Sequence, residues 1–142
     1  KRRVNYWLNY SKPMLFSWHL LHYLGEETTN KIRKNYYEDW KYKHPYPEDF
    51  FAYFDKYSDK NLDWFTHDVF YKTGTVDYSA SLKNGDAIFQ NHGTLTIPFE
   101  VAYYDKDRNK ISRQWIENVT ESHRMQAPEG TQSIIIDPDV AG

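Results

Sequence analysis

The sequence lacks cysteine altogether, and it has no strong charge of either sign. Among its 142 residues there is no Cys, and the formal net charge at pH 7 is -2. The absence of cysteine excludes disulfides and zinc sites built from thiolates. The balanced charge gives none of the polybasic surface that binds nucleic acid or anionic membranes, so no nucleic-acid partner is expected. No apolar run approaches the roughly 20 residues that cross a bilayer, so no membrane span is expected either.

Aromatic residues are what the sequence has in excess. They make up 18% of the chain, with 13 Tyr, 8 Phe and 5 Trp, although the mean hydropathy is only -0.89. Each ring buries on the order of 150–250 Å² in a core, so we expect a folded chain with an aromatic interior. A surface platform for sugars is the alternative use of such rings. Pairs at helical spacing, such as Phe50 with Phe54 and Tyr36 with Trp40, favour packing instead.

A helix is predicted over residues 13–24. Lys12-Pro13 suits a helix start, because the first turn does not need the N–H that proline lacks. Gly25 suits the residue just after a helix, where a left-handed backbone is common. The apolar residues expected to face the core recur at helical spacing and are Met14, Trp18 and Leu21, with Leu15 and Leu24 beside them.

Three further helices are predicted before residue 72. The first covers residues 26–42, with Thr28 or Thr29 as its cap. The second opens at Pro47, and the third runs over residues 62–71. Four short helices joined by short turns are typical of a helical bundle segment.

The periodicity changes at Thr73-Gly74. From Val76 onward apolar and polar residues alternate, which is typical of half-buried strands, and Asn84-Gly85 is a strong hairpin signal. Six strands are predicted, near residues 76–83, 87–90, 97–104, 111–117, 123–126 and 133–137. Strands at this spacing favour a β-sandwich of immunoglobulin type. We therefore predict a mixed fold of two domains, an all-α helical bundle segment over 1–73 and an all-β immunoglobulin-like sandwich over 74–142.

A histidine pair is the one metal-like motif in the sequence. His19 and His22 lie three residues apart on the first predicted helix. No Glu follows His19, so the HExxH motif of zinc peptidases is absent. Ordinary packing or surface histidines are the preferred interpretation. An isolated metalloprotein that uses this pair remains an alternative.

Four stretches of the chain match a known family in order and spacing over residues 6–72. They are Tyr10-Ser11-Lys12-Pro13, Tyr23-Leu24-Gly25, Pro47-Glu48-Asp49-Phe50 and Asn61-Leu62-Asp63-Trp64-Phe65. In them the sequence resembles the gluzincin zinc aminopeptidases, the group of aminopeptidase N and the leukotriene hydrolases, and bacterial forms above all. The family has Gly where this chain has Pro13, and its HExxH motif lies N-terminal to the tyrosine.

The resemblance implies a specific chemistry. In the family a zinc-bound water attacks the peptide carbonyl, and a tyrosine donates its phenolic O–H to the resulting oxyanion. Tyr10 matches that tyrosine and is the one catalytic residue that the resemblance assigns. The chain is then expected to be the C-terminal portion of a longer enzyme that acts on peptides. Zinc is expected in the intact parent, whereas this portion alone is expected to hold none and to be inactive.

A different class of function also fits the sequence. The strands could form a non-catalytic binding module for a protein or a glycan, with the helices packed against it. An HExxH motif upstream of Lys1 would decide for the enzyme.

Overall fold

Helices occupy the first part of the chain and strands occupy the second. The computed structural model describes residues 12–139, and the chain divides between Lys72 and Thr73 into two compact units. The helical unit ends at Lys72, and the β unit begins at Thr73.

The described part of the helical unit contains four helices. They are α1 (Lys12–Leu24), α2 (Glu26–Trp40), α3 (Pro47–Tyr57) and a π-helix (Trp64–Val69). Gly25 separates α1 from α2 with a φ of 82°, a backbone conformation that favours glycine. At the start of α3 the Tyr46 backbone N–H donates to the Asp49 carboxylate at 2.8 Å, which satisfies one of the free donors of a helix N-terminus.

The predicted fourth helix near residues 62–71 is present, and its central part, Trp64–Val69, is a π-helix. Its predicted apolar face is buried, since Leu62, Phe65 and Val69 are each at most 3% exposed. The predicted threonine cap of α2 is wrong, because Gly25 takes the N-cap position and the Thr29 hydroxyl donates to the Gly25 carbonyl at 2.9 Å.

The face that α1 buries is not the predicted one. Met14, Leu15 and Trp18 are exposed, whereas Leu20 and Tyr23 are buried. Two apolar stripes therefore run along α1 at helical spacing, and it packs on α2 and the π-helix through the second of them. Periodicity locates a stripe but does not tell which of two stripes has a partner, so the sequence favoured the wrong one.

Aromatic rings fill the interior of the helical unit. Phe54 packs edge-on to Phe50 with ring centroids 5.0 Å apart and lies 5.5 Å from Phe65. Phe65 in turn lies 5.7 Å from Trp64. Offset and edge-on pairs of this kind add roughly 0.5–1.5 kcal/mol each to the burial of the rings. The buried apolar residues of the unit are Leu20, Tyr23, Ile32, Phe54, Leu62, Trp64, Phe65 and Val69.

The described part of the β unit contains two antiparallel sheets of three strands each. The strands are β1 (Tyr78–Lys83), β2 (Asp86–Asn91), β3 (Phe99–Tyr104), β4 (Lys110–Ile116), β5 (Ser122–Gln126) and β6 (Ser133–Ile136). One sheet has the order β1-β2-β5 and the other the order β4-β3-β6. The hairpin between β1 and β2 turns at Asn84 and Gly85, with φ of 53° and 83°. Both angles are positive, as a type I′ turn requires, which confirms the predicted turn.

The β unit has a closed interior. Phe89, Val101 and Tyr103 are fully buried, and Phe99 and Val119 are 1% exposed. They come from β2, β3 and the segment after β4, so residues of both sheets share this core.

The predicted fold class is wrong. Residues 12–139 form four helices and six strands in two small antiparallel sheets, a mixed α/β structure. They do not form an all-α helical bundle segment followed by an all-β immunoglobulin-like sandwich. Alternation identifies extended residues one strand at a time, but the order of strands depends on hydrogen-bond partners far away in sequence. The count and spacing of strands therefore did not determine the architecture.

Candidate functional site

Tyr10, the predicted catalytic residue, lies outside the described residues, as does Ser11 beside it. The remaining members of its motif, Lys12 and Pro13, begin α1. The other stretches that carry the resemblance lie at helix ends. Tyr23-Leu24-Gly25 ends α1, Pro47 opens α3, and Trp64 opens the π-helix.

The two histidines of the HxxH motif, His19 and His22, pack against different aromatic rings. The His19 ring packs edge-on against Trp64, with centroids 5.6 Å apart. His22 is exposed and packs edge-on against Trp18 at 4.8 Å. The two rings therefore have different aromatic neighbours. Within residues 12–139, no group of three or more His, Cys, Asp or Glu side chains is arranged to hold a metal ion.

An exposed apolar surface runs along α1, and we call it the α1 face. It consists of Met14, Leu15 and Trp18, whose side chains are 66%, 59% and 58% exposed. Isolated exposed apolar residues are ordinary on protein surfaces, but contiguous ones mark interaction sites. Three large apolar side chains within five residues of one helix make the α1 face a candidate contact surface.

Trp64 has an unpaired polar atom. Its indole Nε1 is buried, and no hydrogen-bond acceptor contacts it. The ring packs edge-on against Tyr23 at 5.9 Å as well as against His19. An unsatisfied buried donor costs about 1–3 kcal/mol. Trp64 lies in the π-helix. This form of helix is rare and is found frequently at functional sites.

A groove of ≈ 580 Å³ lies against α2 and the start of α3, and we call it the α2–α3 groove. Its lining combines rings with polar and cationic side chains, namely Asn30, Arg33, Lys34, Tyr36, Tyr37 and Phe50. Tyr36 packs edge-on against Phe50 with centroids 4.9 Å apart, and against Tyr53 at 5.5 Å. These contacts hold the aromatic side of the groove in place.

A hydrogen bond joins α2 and α3 beside the α2–α3 groove. The Tyr53 hydroxyl donates to the Asp39 carboxylate at 2.7 Å. This bond to a negative acceptor raises the pKa of Tyr53 above its ordinary value of 10.0, since the carboxylate favours the protonated phenol. The protonated Tyr53 phenol is the donor that links the two helices in the structure.

Sequence reasoning missed the α2–α3 groove, although a signal was present. Asn30, Arg33, Lys34 and Tyr37 recur at intervals of three and four and share one face of α2. The helical spacing of Tyr36 and Trp40 favoured an interpretation as packing instead. The contribution of Phe50 depends on how α2 and α3 pack, and periodicity along one helix does not report that.

Comparison with known proteins leaves the family open. No protein-family model matches the chain, and no curated protein matches its sequence significantly. None of the helices within residues 12–139 is long and apolar enough to cross a membrane.

Proposed function

We propose that this chain is the C-terminal portion of a zinc-dependent aminopeptidase that removes N-terminal residues from peptides. The observation that carries the proposal is the motif series of the sequence. Four stretches, from Tyr10-Ser11-Lys12-Pro13 to Asn61-Leu62-Asp63-Trp64-Phe65, follow the order and spacing of the gluzincin family. The three of them that lie wholly within the described residues stand at helix ends.

The exposed α1 face supports the proposal. A helical unit that was complete by itself would bury the side chains of Met14, Leu15 and Trp18, because burying each contributes roughly 1.5–3 kcal/mol. In the described residues they stay exposed. A larger catalytic body around α1 would give these side chains a partner.

In this proposal Tyr10 acts on the transition state. As the peptide carbonyl becomes tetrahedral, its oxygen gains negative charge, and the phenolic O–H of Tyr10 donates a hydrogen bond to it. A donor of this kind is worth more to the oxyanion than to the neutral carbonyl of the substrate. The described residues hold no zinc site, so the metal ligands would come from elsewhere in the parent.

The test is Tyr10→Phe in the full-length protein that the gene encodes, loaded with zinc. We expect kcat to fall by roughly 100–1,000-fold while KM stays near its original value, since the interaction forms mainly in the transition state. Tyr42→Phe is the matched control, because Tyr42 is 99% exposed and should leave both constants unchanged. Full kcat in the Tyr10→Phe protein would show that Tyr10 is not the oxyanion donor.

A further inference from the structure

We propose that the α2–α3 groove binds a peptide segment in which a carboxylate lies next to an aromatic side chain. This inference rests on the groove alone. It does not depend on the proposed aminopeptidase, and the groove shares no residue with the α1 face or with the motif of Tyr10.

The cationic side of the groove is available to a ligand. Arg33 and Lys34 are both exposed and line the groove, and neither forms an ion pair with another of the described residues. Two acids near the C-terminal end of α2 are already engaged, because Glu38 pairs with Lys41 at 2.6 Å and Asp39 accepts the Tyr53 hydroxyl. A guanidinium binds a carboxylate through two parallel N–H donors, and an ammonium adds a second charge. Two adjacent unpaired cations therefore fit an acidic side chain.

The aromatic side of the groove is rigid before any ligand arrives. Tyr36 is fixed between Phe50 and Tyr53, with ring centroids 4.9 and 5.5 Å away. Tyr37 is 63% exposed and presents its ring to the same groove. Aromatic rings prefer edge-on or offset partners at 4.5–7 Å, so an incoming ring can join this cluster without rearranging it. Preorganisation of this kind lowers the entropic cost of binding.

The remaining features favour a short peptide over other anionic ligands. The Asn30 side-chain amide has both a donor and an acceptor for a peptide backbone. A volume of ≈ 580 Å³ lies within the range of small-ligand sites and suits one or two residues. Nucleic acid is the poorer fit, because two cations on a chain of net charge -2 neutralise few phosphates.

An NMR titration of the ¹⁵N-labelled 142-residue chain tests the proposal with three dipeptide amides. We expect N-acetyl-Asp-Phe-amide to shift the backbone signals of Arg33, Lys34 and Tyr37. N-acetyl-Asn-Phe-amide removes the charge and N-acetyl-Asp-Ala-amide removes the ring, so each should bind several-fold more weakly. Equal affinity for all three, or shifts that avoid α2, would overturn the proposal.

Variants assign the interaction to its residues. The double variant Arg33→Gln with Lys34→Gln should weaken N-acetyl-Asp-Phe-amide binding by about three- to tenfold, as expected for two partly exposed ion pairs. Lys83→Gln with Lys110→Gln removes the same charge from exposed positions of the β unit and should leave binding unchanged. If both double variants weakened binding equally, the effect would come from net charge alone, and the proposed binding site would be wrong. Signals of α2 that move with protein concentration alone would instead assign the groove to a second copy of the chain.

Discussion

The helical unit and the β unit use their large apolar side chains differently. In the β unit the biggest ones lie inside, with Tyr103 and Phe89 fully buried, and its exposed large apolar residues are Val76, Ile111 and Ile135, each near 40%. In the helical unit Met14, Leu15, Trp18 and four tyrosines stay mostly exposed, and Phe70 is 46% exposed. The β unit thus buries its largest apolar side chains in one core. The described helical unit leaves several large apolar side chains exposed.

Buried polar groups show the same contrast. In the β unit the Tyr78 hydroxyl accepts the Ile97 N–H at 2.9 Å and has the Ile97 carbonyl at 3.1 Å as its acceptor. The Asn91 amide donates to the carbonyls of Leu95 and Val119, each at 3.1 Å. In the helical unit the Trp64 indole N–H is buried without an acceptor. Among the described residues, these polar groups of the β unit are paired within it, whereas the helical unit leaves one buried donor unpaired.

Truncating one large aromatic side chain in each unit is the strongest test of this difference in burial. Phe89→Ala removes a fully buried ring and should lower the free energy of unfolding by about 3–5 kcal/mol. Trp18→Ala removes an exposed ring and should change it by at most about 0.5 kcal/mol. Urea denaturation followed by circular dichroism measures both. A large loss on Trp18→Ala would mean that the α1 face already has a partner within this chain.

Removing one tyrosine hydroxyl from each unit tests the difference in how the two units pair their polar groups. Tyr78→Phe should cost about 1–3 kcal/mol, because the Ile97 N–H and carbonyl lose their partner in a half-buried setting. Burial raises the pKa of Tyr78 above its ordinary value of 10.0, in keeping with a protonated, desolvated phenol. Tyr71→Phe changes an exposed tyrosine of the helical unit and should cost nothing measurable. Thermal unfolding of the two variants distinguishes them, and equal transitions would contradict the role given to Tyr78.

An ion-pair cluster of the β unit offers a smaller effect. Arg113 bonds to Glu100 and Asp139, and these hydrogen bonds, with Glu100 first, raise the pKa of its guanidinium. Glu100→Gln should cost about 1–2 kcal/mol, because the Glu100 side chain is mostly buried against the guanidinium. Asp139→Asn should cost less than about 1 kcal/mol, since that carboxylate is 56% exposed. The reverse ranking in urea denaturation would contradict this assignment.

The smallest expected effect is a pH dependence in the helical unit. The hydrogen bond from Lys72 lowers the pKa of Asp68 below its ordinary value of 3.8. A lowered pKa in the folded state adds stability that is complete above pH 3.8 and is lost as the pH falls through the lower folded value. Lys72→Gln should therefore lower stability slightly above pH 3.8 and leave it unchanged at the lowest pH, which flattens part of the acid limb of a stability–pH curve. An unaltered acid limb would mean that the Asp68–Lys72 pair contributes nothing in solution.

Local signals predicted the elements better than their assembly. Pro47 and the acids after it predicted the start of α3, and Asn84-Gly85 predicted the hairpin, because both depend on backbone preferences of a few residues. The buried side of α1, the π-helix at Trp64 and the order of the six strands depend on contacts between distant residues. The α2–α3 groove belongs with them, since it needs Phe50 of α3 beside Tyr36 of α2.

The predicted active-site tyrosine shows the same limit in functional terms. A resemblance in motif order assigns Tyr10 a role, but the atoms that would give it that role lie outside residues 12–139. The α1 face is the feature of the described structure that supports the proposed aminopeptidase. Its support comes from exposed apolar side chains and not from a catalytic group.

The most direct test of the proposed aminopeptidase is the metal content and activity of the full-length protein that the gene encodes. We expect about one zinc per chain, because catalytic sites of this class hold the metal with three protein ligands. We also expect hydrolysis of N-terminal residues from peptides that stops when a chelator removes the zinc. The 142-residue chain by itself should show neither property. A full-length protein that binds no zinc and releases no N-terminal residues would contradict the proposal.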